Sequence, residues 1–107
     1  MKKGAIKVSV LYPSGEGKRF DMDYYLNKHA PLVNELLGDA IIGATIEEGL
    51  AGGVPDSAPT FQVIGNMYFE SLEAYQNSLG PHAERIMGDI PNFTNIEPVI
   101  QISKVVI

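Results

Sequence analysis

Hydrophobic and polar residues alternate along four short stretches of the chain, and such alternation is typical of half-buried β-strands. The pattern predicts strands in these segments: Ala5–Tyr12, Ala40–Glu48, Thr60–Phe69 and Val99–Ile107. In the first segment Val8 and Tyr12 share one face, while Ser9 lies on the other. The chain between the second and third strands, Gly49–Pro59, is rich in glycine and proline and predicts a loop.

A different period marks the first helix. From Phe20 to Gly38, apolar residues recur every three or four positions and form one stripe on a helix. Asp21 is a good N-cap, and glycine suits the C-terminal end. Pro31 lies inside this run and removes a backbone donor. We therefore expect a kink or a restart of the helix near His29.

A second helical region follows the third strand. Ser71 caps a helix that ends at Gly80, and a further helical segment, Pro81–Asp89, follows it. The predicted order is β-α-β-β-α-β. With right-handed crossovers this order gives an α+β, ferredoxin-like fold, a four-stranded antiparallel sheet with both helices on one face. A chain of 107 residues is expected to form one domain, residues 1–107.

The sheet face away from the helices mixes polar and apolar residues. The side chains assigned to it are Ser9, Thr45, Gln62 or Asn66, Gln101 and Ser103, among apolar neighbours such as Leu11 and Val105. The face is too apolar to be left exposed to solvent and too polar for an ordinary hydrophobic core. We therefore predict a homodimer that packs two such faces together around a ligand cavity. The sequence leaves open which way the residues of the second and third strands face.

Charge and composition exclude several classes of partner. The chain has 8 basic and 13 acidic residues, for a net charge of −5, and no basic stripe. Binding to nucleic acid or to an anionic membrane surface needs clustered lysine and arginine, so neither is expected. The chain has no cysteine, which excludes thiolate chemistry and fits a reducing cytoplasm. No apolar run approaches the roughly 20 residues that span a bilayer.

Candidate chemistry is concentrated on the first helix. Tyr25 and His29 are four residues apart, so their side chains share a face of the helix beside Pro31. His29 is suited to general acid or base catalysis, and Tyr25 or Tyr12 could orient an oxygen of a ligand. The alternatives are a histidine bonded to a backbone carbonyl group and core tyrosines with satisfied hydroxyls. His82, at a helix start, is either a neutral imidazole in a site or a capping residue.

Motifs for metals and cofactors are missing. The two histidines are 53 positions apart with no HxxxH spacing, which is a poor metal signal. The glycine-rich GLAGG connects two strands and opens no helix, unlike phosphate or dinucleotide loops. We expect neither a metal nor a cofactor, although a haem ligand at His29 or His82 stays open.

Two segments resemble the EthD family of small dimeric α+β-barrel proteins. They are LYPSGEGKRFDMDYYLNKHAPLV, with a YY-x-x-x-H helix, and GPHAERIMGDIPNFTNIEPVIQIS, with a GPH and a DIPNFT-x-IEP-x-IQIS ending. The resemblance covers essentially the whole chain. It implies ferredoxin-like monomers that pair sheet to sheet into a dimeric α+β barrel.

The resemblance also implies functional residues. The family histidine falls on His29, the aromatic pair on Tyr24 and Tyr25, and the GPH histidine on His82. The loop asparagine and phenylalanine correspond to Asn92 and Phe93. The family is associated with degradation of ethyl tert-butyl ether, in an accessory role. Similar barrels include muconolactone isomerases, cofactor-free monooxygenases and haem-degrading enzymes.

These observations support two functional hypotheses, beside the possibility of a purely structural dimer with a filled cavity. The first is a cytoplasmic, cofactor-independent enzyme, an oxidoreductase or isomerase, that uses acid/base chemistry on a small apolar or aromatic oxygenated metabolite. In it His29 and Tyr25 are catalytic, and the ligand contacts are Tyr12, Tyr24, Asn66, His82, Asn92 and Phe93. The second is a non-catalytic protein that holds such a ligand for a partner oxygenase.

Overall fold

Four strands form one antiparallel sheet in a computed structural model that describes residues 2–107. In chain order they are β1 (Ile6–Pro13), β2 (Gly43–Glu48), β3 (Phe61–Phe69) and β4 (Val99–Lys104). Their order across the sheet is β2-β3-β1-β4. Chain order and sheet order together give the ferredoxin-like topology, as the sequence predicts.

Helical segments fill the two crossovers. The first crossover holds α1 (Met22–Tyr24), a π-helical segment (Tyr25–His29), α2 (Ala30–Leu37) and a 3₁₀ turn (Gly38–Ala40). The second holds α3 (Leu72–Leu79), a 3₁₀ turn (Gly80–His82), α4 (Ala83–Asp89) and a further 3₁₀ turn (Ile90–Asn92). Among residues 2–107, no helix has both the length and the apolar character needed to cross a membrane.

Two strand boundaries differ from the prediction by three residues, and the others agree to within one residue. β2 begins at Gly43 rather than at Ala40, because the chain first makes the 3₁₀ turn after α2. β4 ends at Lys104 rather than at Ile107. Its neighbour β1 begins at Ile6, opposite Lys104, and beyond that pair Val105 exchanges hydrogen bonds with Gly4 and Ala5 outside the regular ladder.

Both helical regions pack on the same face of the sheet and bury two clusters of side chains. One cluster surrounds Tyr12 and Phe93, and the other surrounds Val8 and Phe69. Val8 and Tyr12 are on the predicted inner face of β1, each 1% exposed. The alternation of the first strand therefore correctly predicts which of its side chains enter the core.

The register resolves the parity that the sequence leaves open. Ser9 pairs with Gln101 on one side and with Asn66 on the other, and Asn66 pairs with Thr45. These residues form one polar row across all four strands, on the face opposite the helices.

Candidate active site

The first helical region widens into a π turn just before Pro31. Asp21 caps its start by accepting a hydrogen bond from a backbone N–H in the first turn, at 3.1 Å. Proline has no N–H to continue an α-helix, and its ring crowds the preceding turn. The N–H of Ala30 instead reaches the carbonyl oxygen of Tyr25, five residues back. The expected irregularity near His29 is confirmed, and π turns of this kind are frequent at functional sites.

His29 is held in place by Asp89, at the end of α4. Nδ1 of His29 lies 2.9 Å from Oδ2 of Asp89, and His29 is 6% exposed. An ionised carboxylate only accepts hydrogen bonds, so this contact assigns the proton to Nδ1 and leaves Nε2 as an acceptor. The arrangement suits a general base whose ring is oriented from behind.

Two further donors hold the Asp89 carboxylate. The Tyr24 hydroxyl donates to Oδ1 at 2.7 Å, and the Asn92 side-chain amide donates to the same oxygen at 2.9 Å. Burial alone would raise the pKa of Asp89. The hydrogen bonds from Asn92, Tyr24 and His29 outweigh this effect and hold the pKa below its usual range. Asp89 is therefore ionised at neutral pH and stabilises a positive charge on His29.

Replacing Asp89 by asparagine should make the stability of the protein less sensitive to acid. The pKa of Asp89 is lower in the folded chain than in the unfolded chain, so its hydrogen bonds stabilise the fold above about pH 4. That contribution is lost as the pH falls through the folded-state pKa. We expect Asp89→Asn to cost about 1–2 kcal/mol at pH 7 and progressively less below pH 4, measured by urea unfolding.

The matched control is Asp56→Asn. Asp56 is exposed and has a φ of 61°, a conformation that asparagine tolerates. The Asp56→Asn variant loses the same charge as Asp89→Asn but leaves the hydrogen bonds among His29, Asp89, Tyr24 and Asn92 unchanged. Equal losses of stability for the two variants at pH 7 would show that the Asp89 hydrogen bonds do not stabilise the fold.

A cavity of about 140 Å³ lies between the helices and the sheet, with His29 in its wall. Its walls are mostly apolar side chains from α2, α4 and the strands, such as Val33, Ile86 and Val10. The polar exceptions include Tyr12 and Tyr25 beside His29. No lysine, arginine, aspartate or glutamate lines the cavity within residues 2–107. Such a site suits an uncharged ligand with few polar atoms.

Tyr12 and Tyr25 present their phenol groups to this cavity from β1 and from the π turn. Burial raises the pKa of Tyr25 to about 12, and burial together with the nearby Tyr25 raises the pKa of Tyr12. Both phenols are therefore protonated at neutral pH and are able to donate a hydrogen bond. The Tyr25 and His29 rings stack, with centroids 5.6 Å apart and planes 16° apart.

Phe93 packs against both the histidine and Tyr25, so the three rings contact one another. The centroids of the Phe93 and His29 rings are 4.6 Å apart. The backbone of the Phe93 loop is tied to the start of the first helix, because the carbonyl oxygen of Phe93 accepts from the N–H of Asp21 at 2.7 Å. A bridge between Phe20 and Thr94 follows directly. These contacts bring the second half of the chain to His29.

The structure brings together most of the residues that the sequence singles out. Tyr12, Tyr25 and His29 line the cavity, and Asn66 borders it from β3, although its side chain belongs to the polar row on the other face of the sheet. Tyr24 and Asn92 contact Asp89, and Phe93 packs on His29. His82 is partly buried at the start of α4 and is not among the cavity-lining residues.

Asn66 has a structural role that the sequence does not reveal. Its side-chain oxygen accepts from the Ser9 hydroxyl at 3.0 Å, and its amide donates to the Thr45 hydroxyl at 3.1 Å. Asn66 is 3% exposed, so these bonds satisfy a buried amide and connect three strands. Most of its hydrogen-bonding capacity is directed at the sheet rather than at a ligand.

Asp89 is the functional residue that sequence reasoning missed. The sequence indicates only a polar residue in an irregular connection, where such residues usually satisfy turns. Its 60-residue separation from His29 hides the contact. The available signal was its position three residues before Asn92, inside the segment that carries the family resemblance.

The described residues include no group of three or more histidine, cysteine, aspartate or glutamate side chains that could hold a metal ion. The groups in the cavity wall that can exchange or donate a proton include His29, with Asp89 behind it, and the phenols of Tyr12 and Tyr25. This set can move a proton and can stabilise a developing negative charge on an oxygen atom.

Comparison with known proteins identifies relatives along the whole chain. The family model of the EthD domain matches residues 14–97. A crystal structure of an EthD-like protein from Ralstonia eutropha JMP134 is 42% identical, with a TM-score of 0.91, and the match covers 99% of this chain and 96% of that one. No curated protein sequence matches the chain.

Two more distant structures share the fold. An ethyl tert-butyl ether D (EthD) family protein from Bacillus halodurans C-125 is 20% identical, with a TM-score of 0.70, over 94% of this chain and 97% of that one. A dimeric protein of unknown function and ferredoxin-like fold from Bacteroides fragilis NCTC 9343 is 10% identical, with a TM-score of 0.51, over 97% and 99% of the two chains.

Proposed function

The chain belongs to the EthD family, and we propose that it is a cofactor-independent enzyme that moves a proton on a small, uncharged, oxygen-bearing metabolite. The observation that carries this proposal is the 2.9 Å contact between Nδ1 of His29 and Asp89, with His29 in the wall of an apolar cavity. A histidine held in this way is a base with a fixed direction.

The proposed step begins with removal of a proton from carbon by Nε2 of His29. The electron pair of the broken C–H bond remains on the ligand as an enolate, and the imidazolium that forms is stabilised by Asp89. Tyr25, a protonated phenol in the same wall, donates a hydrogen bond to the enolate oxygen. Return of the proton to a different carbon is an isomerisation. Addition of dioxygen to the enolate carbon would instead form a C–O bond and reduce dioxygen to a peroxide, which takes the proton back from His29, and the protein would then be an oxidoreductase.

Hydrogen–deuterium exchange tests this step without knowledge of the natural substrate. The protein is incubated in D₂O with single-ring arylacetones, and loss of the C–H signal is followed by NMR. We expect exchange faster than in buffer for at least one compound that binds. Binding of these compounds without any acceleration of exchange would overturn the proposal.

The second candidate function is a non-catalytic carrier that holds the ligand for a partner oxygenase. The almost wholly apolar lining of the cavity favours it, because such a lining binds a ligand without chemistry. Native mass spectrometry of protein purified from its host separates the two functions. A retained ligand that the protein leaves unchanged supports the carrier, and a converted ligand supports the enzyme.

We further propose that the protein is a cytoplasmic homodimer that pairs through the sheet face opposite the helices. Val99 is 51% exposed on that face, where it lies beside Leu11 of β1. The related Bacteroides fragilis protein is described as dimeric. Light scattering at micromolar concentration should report twice the chain mass of 11.6 kDa, and a stable monomer would contradict this proposal.

A further inference from the structure

Gly65 lies in the middle of β3, at the hydroxyl end of the Tyr25 side chain. A Cβ atom built on Gly65 would be 2.5 Å from the Tyr25 hydroxyl oxygen. Carbon–oxygen contacts in proteins settle at about 3.3–3.6 Å, so any side chain here would force the hydroxyl to retreat by about 1 Å. Glycine within a strand weakens it, and its usual reason is a close approach of this kind.

The Tyr25 hydroxyl is free to serve a ligand. Among residues 2–107, the Ser14 hydroxyl is the one fully buried side-chain oxygen or nitrogen that has no hydrogen-bond partner. The Tyr25 hydroxyl also makes no hydrogen bond to this part of the chain. Because it is unbonded but not fully buried, it remains accessible to a ligand. Tyr25 and Gly65 both line the cavity, so a ligand in the cavity can accept a hydrogen bond from the Tyr25 hydroxyl.

The Tyr25 ring has little room to retreat. It lies 4.9 Å from Phe20 and 5.1 Å from Phe93, centroid to centroid, and it stacks on His29. A displaced hydroxyl would therefore tilt the ring within its aromatic neighbours. A methyl group added at Gly65 would therefore change the position of the Tyr25 hydroxyl, because the surrounding rings keep the whole side chain from moving away.

We propose that Gly65 is a positioning residue that sets the Tyr25 hydroxyl against the oxygen atom of the ligand, and that this pair selects single-ring ligands that carry a hydroxyl or carbonyl group over their hydrocarbon analogues. The inference rests on the proposed function for its ligand class. A cavity of about 140 Å³ is close to the roughly 150 Å³ cavity that is known to bind benzene, which sets the ligand size at one ring.

The test compares binding of p-cresol and toluene, which differ by one hydroxyl group, by calorimetry. The wild-type protein should bind p-cresol about tenfold more tightly than toluene, the value of one hydrogen bond in a buried site. Tyr25→Phe should abolish this preference. Gly65→Ala should also abolish it while toluene affinity changes by less than about threefold.

A double variant separates positioning from a general effect on folding. Gly65→Ala in the Tyr25→Phe background should leave the ratio of p-cresol to toluene affinity unchanged, because the two changes act through the same hydroxyl. Gly53→Ala is the matched control, since a Cβ there meets nothing within 4 Å, and it should keep the wild-type ratio.

Retention of the tenfold preference by Gly65→Ala, or equal weakening of both ligands, would overturn the inference. Because binding is measured without turnover, this outcome is independent of the exchange assay. A protein that prefers p-cresol through Gly65 and Tyr25 but exchanges no proton would retain this inference and lose the proposed enzymatic function.

Discussion

The His29→Gln variant is expected to exchange ligand protons about 10²–10⁴-fold more slowly than the wild-type protein, which is the range that general base catalysis supplies. Glutamine is close to histidine in size and is able to keep a hydrogen bond to Asp89. Its amide cannot accept a proton at neutral pH, so the variant removes the base while it preserves much of the packing. The initial exchange rate in D₂O, measured at saturating ligand, is the test.

Asp89→Asn in the same assay shows how the base works. The asparagine side chain is uncharged, so this variant keeps His29 but lacks the negative charge that stabilises its imidazolium. We expect a smaller loss of rate than for His29→Gln, because the base is still present but the imidazolium that forms during proton removal is less stable. A His29→Gln protein that is folded, binds the ligand and exchanges at the wild-type rate would remove His29 from the mechanism.

The Phe93→Ala variant is expected to lose about 3–5 kcal/mol of unfolding free energy and also to lose exchange activity per folded molecule. Phe93 is 2% exposed, and its ring contacts both His29 and Tyr25. Removal of the ring leaves a void beside the base. The remaining rings then fill part of that void, and His29 is no longer held in one orientation.

Phe69→Ala is the matched control for this prediction. Phe69 is 0% exposed in the other core cluster, packs on Tyr75 and does not line the cavity. It should lose a similar 3–5 kcal/mol while exchange per folded molecule is unchanged. Urea unfolding and the exchange assay are run on both variants. A parallel loss of activity in both would show that Phe93 acts only through stability.

The sequence predicts the fold well because local and tertiary signals agree. Alternation in β1 places Val8 and Tyr12 in the core, and the Asp21 and Ser71 caps begin helices where the structure begins them. The errors are at strand ends. The end of β4 depends on where its neighbour β1 begins, and a pattern within β4 carries no information about that neighbour.

The candidate site could be predicted only in part. Tyr25 and His29 are neighbours on one helix, so their spacing alone predicts that they share a wall. Asp89 meets His29 through a tertiary contact over 60 residues, and no local period reports such a contact. The role of Gly65 also cannot be predicted from the pattern of β3, where a glycine only lowers the strand propensity. Its role depends on Tyr25, which belongs to another element.

Pro31 gives the first helical region two different orientations. A π turn takes in one residue more than an α-turn does, so the part of the helix before it is rotated by about 100° relative to a continuous α-helix. Before the turn, Met22 and Tyr24 pack against the Tyr12–Phe93 cluster. After it, Val33 and Leu37 belong to the Val8–Phe69 cluster. One proline thus lets a single helical region bury a different face in its second half, and His29 lies where the buried face changes.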